Sequence, residues 1–180
     1  MHRLFIALRP PPVIRETLTA TMGGVPGARW QDDDQLHLTL RFIGAIERPV
    51  AEDVAAVLAS IVAPVPTVRI AGVGRFDQRG RTDTLWAAVT PGDALAALHR
   101  KVDQALVRVG LDPERRAYLP HITLARLPRS MGHGPAIERW VADHASLNSE
   151  PFTLPHLILY ESHLGREGAR YDAIARWPLG

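Results

Sequence analysis

Short apolar runs recur along this chain, separated by stretches whose apolar residues return every three or four positions. Residues 4–8, Leu-Phe-Ile-Ala-Leu, read as a strand. Pro10, Pro11 and Pro12 end it and supply the first turn of a helix running to about residue 22. Ile14, Leu18 and Thr21 share one stripe of that helix, and Gly23-Gly24 stops it. Ala28-Arg29-Trp30 leads through an acidic turn, Asp32 to Asp34, into a strand over 36–43 that Gly44 ends. Val54, Val57, Leu58 and Ile61 have helical spacing within 49–63. Residues 67–76 and 84–89 read as two strands of a hairpin, with 77–83 as its polar loop. Leu95, Leu98, Val102, Leu106 and Val109 mark the clearest amphipathic helix, closed by Gly110. After Pro113 and Arg115-Arg116 comes a strand over 121–127, and then a helix over 137–145. Strands over 152–160 and 170–177 close the chain around a Gly165/Gly168 turn.

One four-residue pattern, His-apolar-Thr-Leu, occurs twice along the chain. His37-Leu38-Thr39-Leu40 begins at residue 37, and His121-Ile122-Thr123-Leu124 begins 84 positions later at 121. Strand side chains alternate faces, so each copy presents one imidazole and one hydroxyl on the face opposite its apolar pair. Both halves also spell helix, motif strand, helix, strand, strand. The spacing predicts an internal repeat, roughly 11–90 and 92–177, within one two-lobed domain spanning 1–180. The expected fold is α+β and bilobal. Two mostly antiparallel sheets related by a pseudo-twofold axis, flanked by helices, would bring the two motif strands together across a central cleft.

Composition narrows this little. At 180 residues, with 46% apolar and 22% charged residues, the chain is an ordinary globular domain. It lacks cysteine, so there is neither a disulfide framework nor thiolate chemistry. No apolar run approaches a membrane span, and Met1 leads straight into a strand without a signal peptide, which together predict a cytoplasmic protein. A net charge of +2 is too small to announce a nucleic-acid binder. Lys101 is the sole lysine, and heavy use of Arg, Ala and Pro is what a GC-rich genome supplies.

Two imidazoles across a cleft suit a reaction that needs one general base and one general acid. The ordinary His pKa of about 6.5 populates both protonation states near neutrality. In-line displacement at phosphorus has this requirement: one group activates the attacking oxygen and another protonates the leaving oxygen. Thr39 and Thr123 can hydrogen-bond the phosphoryl oxygens as they gain charge. This scheme uses no metal, and no His-Glu-x-x-His or other ligand-spaced cluster appears. The remaining histidines, His2, His99, His133, His144, His156 and His163, read as structural or solvated.

The paired His-x-Thr-x motifs resemble those of the two-histidine phosphoesterase superfamily. The surroundings are similar to its RNA 2',3'-cyclic phosphodiesterase branch, also called bacterial and archaeal 2'-5' RNA ligase. The matching segments are 3–8, 37–44, 120–126 and Tyr160-Glu161-Ser162. The resemblance implies a bilobal monomer without cofactor that hydrolyses the cyclic phosphate at an RNA 3' end, tRNA fragments included, to a 2'-phosphate. By it His37 would protonate the departing 3'-oxygen and His121 would be the base on water. The same residues would run 2'-5' ligation in reverse. Arg126, five residues past His121, matches an arginine that the family uses on the phosphate, yet strand parity puts it on the face opposite His121. Only a bulge or the strand's end would turn it back. Phe42 holds the equivalent position in the first half. It is a candidate for stacking on a base, with core packing the preferred reading. Arg75, Arg79, Arg81, Arg115 and Arg116 either line the cleft mouth or are simply solvated. Two other functions share the pattern: a phosphodiesterase for small cyclic nucleotide phosphates or nucleotide conjugates, and a noncatalytic RNA-end binding module.

Overall fold

Nine strands and four helices form in the computed structural model, which describes residues 1–180. In chain order they are β1 (His2–Leu8), α1 (Pro12–Thr19), β2 (Arg29–Trp30), β3 (Leu38–Ile46), α2 (Arg48–Leu58), β4 (Thr67–Gln78), β5 (Arg81–Thr90), α3 (Asp93–Arg108), β6 (His121–Arg126), α4 (Pro135–Asp143), β7 (Phe152–Thr153), β8 (His156–Gly165) and β9 (Gly168–Pro178). Proline opens α1, α2 and α4, where its missing N–H costs no helical hydrogen bond. No helix is long and apolar enough to cross a membrane.

The element types follow the sequence pattern, and the boundaries depart from it for local reasons. Residues 77–83 are not a loop, because the β4–β5 ladder continues to Gln78↔Arg81 and leaves a two-residue turn at Arg79-Gly80. Both turn residues have positive φ, 52° and 77°, the backbone that matches the twist of a hairpin. Gly44 does not end its strand. It sits at φ 85° beside a register shift, and β3 runs on to Ile46. Leu36 and His37 lie ahead of β3, because Asp32 and Gln35 form a capping box around a single 3-10 turn at Asp33–Gln35. The strand expected over 152–160 is two pieces separated by Leu154-Pro155.

All strand pairs are antiparallel. The order across the curled sheet is β7-β4-β5-β6-β3-β1-β8-β9, with β2 beside β6. The fold is therefore α+β, and the two expected sheets are joined into one path by a single residue pair, Leu38↔Ile122. These residues hold the same place in the two motifs. Antiparallel pairing of equivalent places is what a twofold axis through that point demands. The lobes do not coincide with the two halves of the chain: hairpin β4–β5 pairs with β6, and hairpin β8–β9 pairs with β1.

Helices cover one face of the sheet. Leu4, Ile6 and Leu8 of β1 point into the main core, which also takes Leu38, Leu40, Ile122 and Leu124. Helix α3 packs on β3, α2 on α3, and α4 on β4. Phe5 and Ala7 point the other way and join Ile158 and Tyr160 in a small aromatic cluster on the uncovered face.

Beneath β3 lies a buried ion pair. Arg41 donates through Nε to Asp103 Oδ1 at 2.8 Å and through its other nitrogens to the carbonyls of Phe42 and Asp112. Asp103 also accepts from the Glu114 amide. Burial works to raise the Asp103 carboxyl, but the Arg41 hydrogen bond, the Glu114 amide and the Arg41 charge outweigh it and hold the group below 3.8. Arg41→Met should cost about 3 kcal/mol of unfolding free energy in urea denaturation, because it leaves Asp103 without its cation. A depressed carboxyl stabilises above its unfolded pKa and loses that contribution as pH falls through the folded one. The wild-type margin over Arg41→Met should thus be full at neutral pH and shrink below about pH 4.

Candidate active site

The motif alternation holds in three dimensions. Leu38, Leu40, Ile122 and Leu124 are buried against the helices, while His37, Thr39, His121 and Thr123 are half-buried on the opposite face. The Leu38↔Ile122 register sets Thr39 across from His121 and Thr123 across from His37. The two histidines become diagonal neighbours, their backbone positions about 7–8 Å apart in a regular ladder. They are close enough for the charge of His121 to act on His37.

Two β-bulges then alter the parity. On β3, Ala7↔Thr39 is followed by Ile6↔Arg41, so Leu40 is the extra residue. On β6, Trp86↔Thr123 is followed by Leu85↔Ala125, so Leu124 is the extra one. Each bulge falls three residues after its histidine, and each leaves two successive residues buried, Leu40 with Arg41 and Leu124 with Ala125. Everything beyond is turned over. Phe42 and Arg126 therefore emerge on the histidine face, against the strand-parity expectation. Phe42 is 52% exposed, with its ring centre 5.9 Å from that of Phe5, so the core-packing reading is wrong for it. Arg126 is exposed, and its charge acts on His37, His121 and Tyr171 alike.

Both histidines are oriented the same way. Nδ1 of His37 lies 2.7 Å from the Gln35 carbonyl, and Nδ1 of His121 lies 2.7 Å from the Leu119 carbonyl. A carbonyl only accepts, so Nδ1 carries the proton and the neutral ring leaves Nε2 bare as a base. Thr39 Oγ1, 2.9 Å from His37 Nε2, donates to it. Burial lowers the His37 pKa to about 4, against the raising effect of the Gln35 carbonyl and with help from the charges of Arg126, His121 and Arg9. Burial also lowers His121, opposed by the Leu119 carbonyl and assisted by Arg126. An anion arriving between the rings would restore basicity to both.

Aromatic walls enclose the rings, and the sequence pattern does not signal most of them. Phe5, Tyr171 and Tyr160 surround His37, with centroid distances of 4.9, 5.3 and 6.1 Å. Phe76 stands edge-on to His121 at 5.0 Å, and Trp86 lies at 5.9 Å. The indole rests on Gly74, where an added methyl would stand 2.3 Å from the ring. Only the pairing of β4, β5 and β6 brings Phe76 and Trp86 here. A cleft of about 580 Å³ opens beside His37, lined by Arg9, Trp30, Gln35, Tyr160, Tyr171 and Arg176 among others.

The other histidines lie elsewhere. His99 Nδ1 donates to the Leu40 carbonyl at 2.7 Å, and the ring stacks on Tyr118, supporting β3 from below. His2 and His163 face Glu161 and Asp172. No group of three or more His, Asp or Glu side chains converges as metal ligands would.

Two His-x-Thr strands paired at equivalent residues, at the centre of a curled antiparallel sheet, define a two-histidine phosphoesterase. More narrowly, the chain belongs to the 2'-5' RNA ligase superfamily, whose model matches residues 10–166. It is 29% identical over 162 residues to an RNA 2',3'-cyclic phosphodiesterase of Aeropyrum pernix, covering 89% of this chain and 90% of that protein. It is 31% identical over 159 residues to one of Geobacillus stearothermophilus, covering 86% of this chain and 49% of that protein. The crystal structure of Escherichia coli LigT complexed with 3'-AMP aligns with a TM-score of 0.76 at 26% identity, covering 99% of this chain and 98% of that one.

Imidazole NMR titration checks the electrostatics. His37 should take up its second proton only near pH 4, and His121 below its ordinary 6.5, both rings carrying Nδ1–H at higher pH. Inorganic phosphate should raise both midpoints. A His37 midpoint at or above 6.5 would contradict the enclosed, neutral ring.

Proposed function

We propose that this protein hydrolyses 2',3'-cyclic phosphate ends of RNA to 2'-phosphates, with His37 and His121 as its acid and base. The observation that carries this reading is the pair of unprotonated Nε2 atoms on one face, left so by matching Nδ1–H bonds to backbone carbonyls. In the proposed step His121 Nε2 takes a proton from water as the water oxygen bonds to phosphorus. The P–O3' bond breaks, and the 3'-oxygen receives the proton carried by His37 Nε2.

The unequal surroundings favour this division of labour. His37 has the larger depression, and an imidazolium that holds its proton weakly is the stronger acid toward a departing alkoxide. The negative substrate would supply the attraction that protonates it in the complex. Thr123, whose hydroxyl has no protein partner, and Thr39 would hydrogen-bond the non-bridging oxygens, and Arg126 would offset their charge. Phe42 would stack on the terminal base. Each proton in the scheme has a protein donor or acceptor, so it calls for no metal or cofactor. With an RNA 5'-hydroxyl in place of water, the same displacement would make a 2'-5' linkage, and its reversal would re-form the cyclic phosphate and release the 5'-hydroxyl.

Turnover of a cyclic-phosphate-ended RNA should fall about 10²–10⁴-fold in His37→Ala and in His121→Ala. Near-normal rates in either variant would end the assignment. The rate should follow a bell-shaped pH curve, with EDTA leaving it unaltered; a single sigmoid would leave one of the two groups without a role.

A further inference from the structure

The arginines that the sequence places in loops do not behave alike. Arg75 lies 3.5 Å from Asp77, and Arg116 lies 3.6 Å from Glu114, so a carboxylate already answers each of them. Arg79 and Arg81, at the tip of hairpin β4–β5, have no such partner. They converge with Arg129, from the turn after β6, on a separate hollow of about 370 Å³. Arg81 donates to the Arg129 carbonyl at 3.1 Å, which holds the two segments together. The Thr82 amide donates to the Gly132 carbonyl at 3.0 Å, and a methyl on Gly132 would stand 2.6 Å from the Thr82 carbonyl oxygen. The turn carrying Arg129 is thus seated closely on β5.

Asp83 is the only acid in the lining, and its carboxylate accepts from Thr84 Oγ1 at 2.8 Å. Three guanidiniums facing one carboxylate repel one another when the hollow is empty, and a polyanion relieves that repulsion. The cleft beside His37 has the opposite balance: three arginines, Arg9, Arg170 and Arg176, face four carboxylates. Between the histidines and the hollow lie Arg126 and, directly across from it on β2, Arg29. Arginine charge that carboxylates do not match therefore runs from the site along β6, on the His121 side.

We propose that Arg79, Arg81 and Arg129 form a backbone-phosphate subsite for a polynucleotide, several nucleotides away from the reacting phosphate. It makes an oligomeric RNA end, rather than a small cyclic nucleotide, the preferred substrate. This rests on the phosphodiesterase reading and specifies the size of its substrate.

The test compares wild type with the triple variant Arg79→Gln/Arg81→Gln/Arg129→Gln on a 2',3'-cyclic mononucleotide and on a decamer with the same end. Wild type should favour the decamer at least tenfold in kcat/KM, through KM. The triple variant should lose that preference while keeping mononucleotide turnover. Its slope of log KM against log salt should be shallower by about 2, at about 0.7 per single-strand phosphate contact. Anisotropy with a labelled decamer ending in 2'-phosphate reads the subsite without catalysis, and the triple variant should bind it at least tenfold more weakly. Arg79→Gln alone, at the exposed turn, should weaken it about threefold if the triple variant folds poorly. Equal wild-type handling of both substrates, or decamer binding unchanged by the substitutions, overturns the subsite and leaves the arginines to some other anion. Loss of turnover on both substrates in wild type would instead strike at the phosphodiesterase reading, while the binding assay still judges the subsite.

Discussion

One hydrogen-bonded pair, Leu38 with Ile122, is the whole seam between the two parts of the sheet, and both residues are fully buried. Burying side chains of this size contributes about 1.5–3 kcal/mol each, and Leu40 and Leu124 add to the same core. A slip of either strand by one residue would turn its two apolar side chains toward solvent and drive its histidine into the hydrocarbon. The register at the seam is thus held by apolar burial on one face, while the histidines and threonines ride on the other. The arrangement of the histidines is a by-product of core packing, which is a firmer anchor than any contact the imidazoles make themselves.

Burial that secures the seam also sets the chemistry. Enclosure by Phe5, Tyr160 and Tyr171 makes a charge on His37 costly, and Phe76 and Trp86 crowd His121 from the other lobe. Backbone carbonyls two residues upstream fix both tautomers, so the rings need no carboxylate to orient them. The two histidines are equivalent by sequence and by backbone, yet their surroundings are not. His37 is engaged by Thr39 and displaced further toward neutrality, so two like groups differ in basicity.

The paired bulges carry the same theme. Both motifs turn over three residues past the histidine, and both bring the residue five past it to the histidine face. One lobe delivers a phenyl ring and the other a guanidinium. A symmetric backbone thereby presents an apolar ring on one side of the histidine pair and a charge on the other. Arg41, turned inward by the first bulge, becomes the buried partner of Asp103 instead of a cleft residue.

Periodicity along the chain was enough to determine the α+β class, the element types, the doubled motif and the sidedness of His37, Thr39, His121 and Thr123. These follow from alternation of apolar and polar residues over four or five positions, a local property. It was not enough to place Phe42 and Arg126, because a bulge is an extra residue relative to a partner strand, and the partner is unknown until the sheet forms. Nor did it reveal that the lobes exchange hairpins, since β5 meets β6 and β8 meets β1 only through long-range pairing. The walls around the histidines, the low basicity of His37 and the convergence of Arg129 with Arg79 and Arg81 are all products of that pairing. Desolvation and charge convergence depend on distance in space, and a linear pattern carries no distance between residues that are far apart along it.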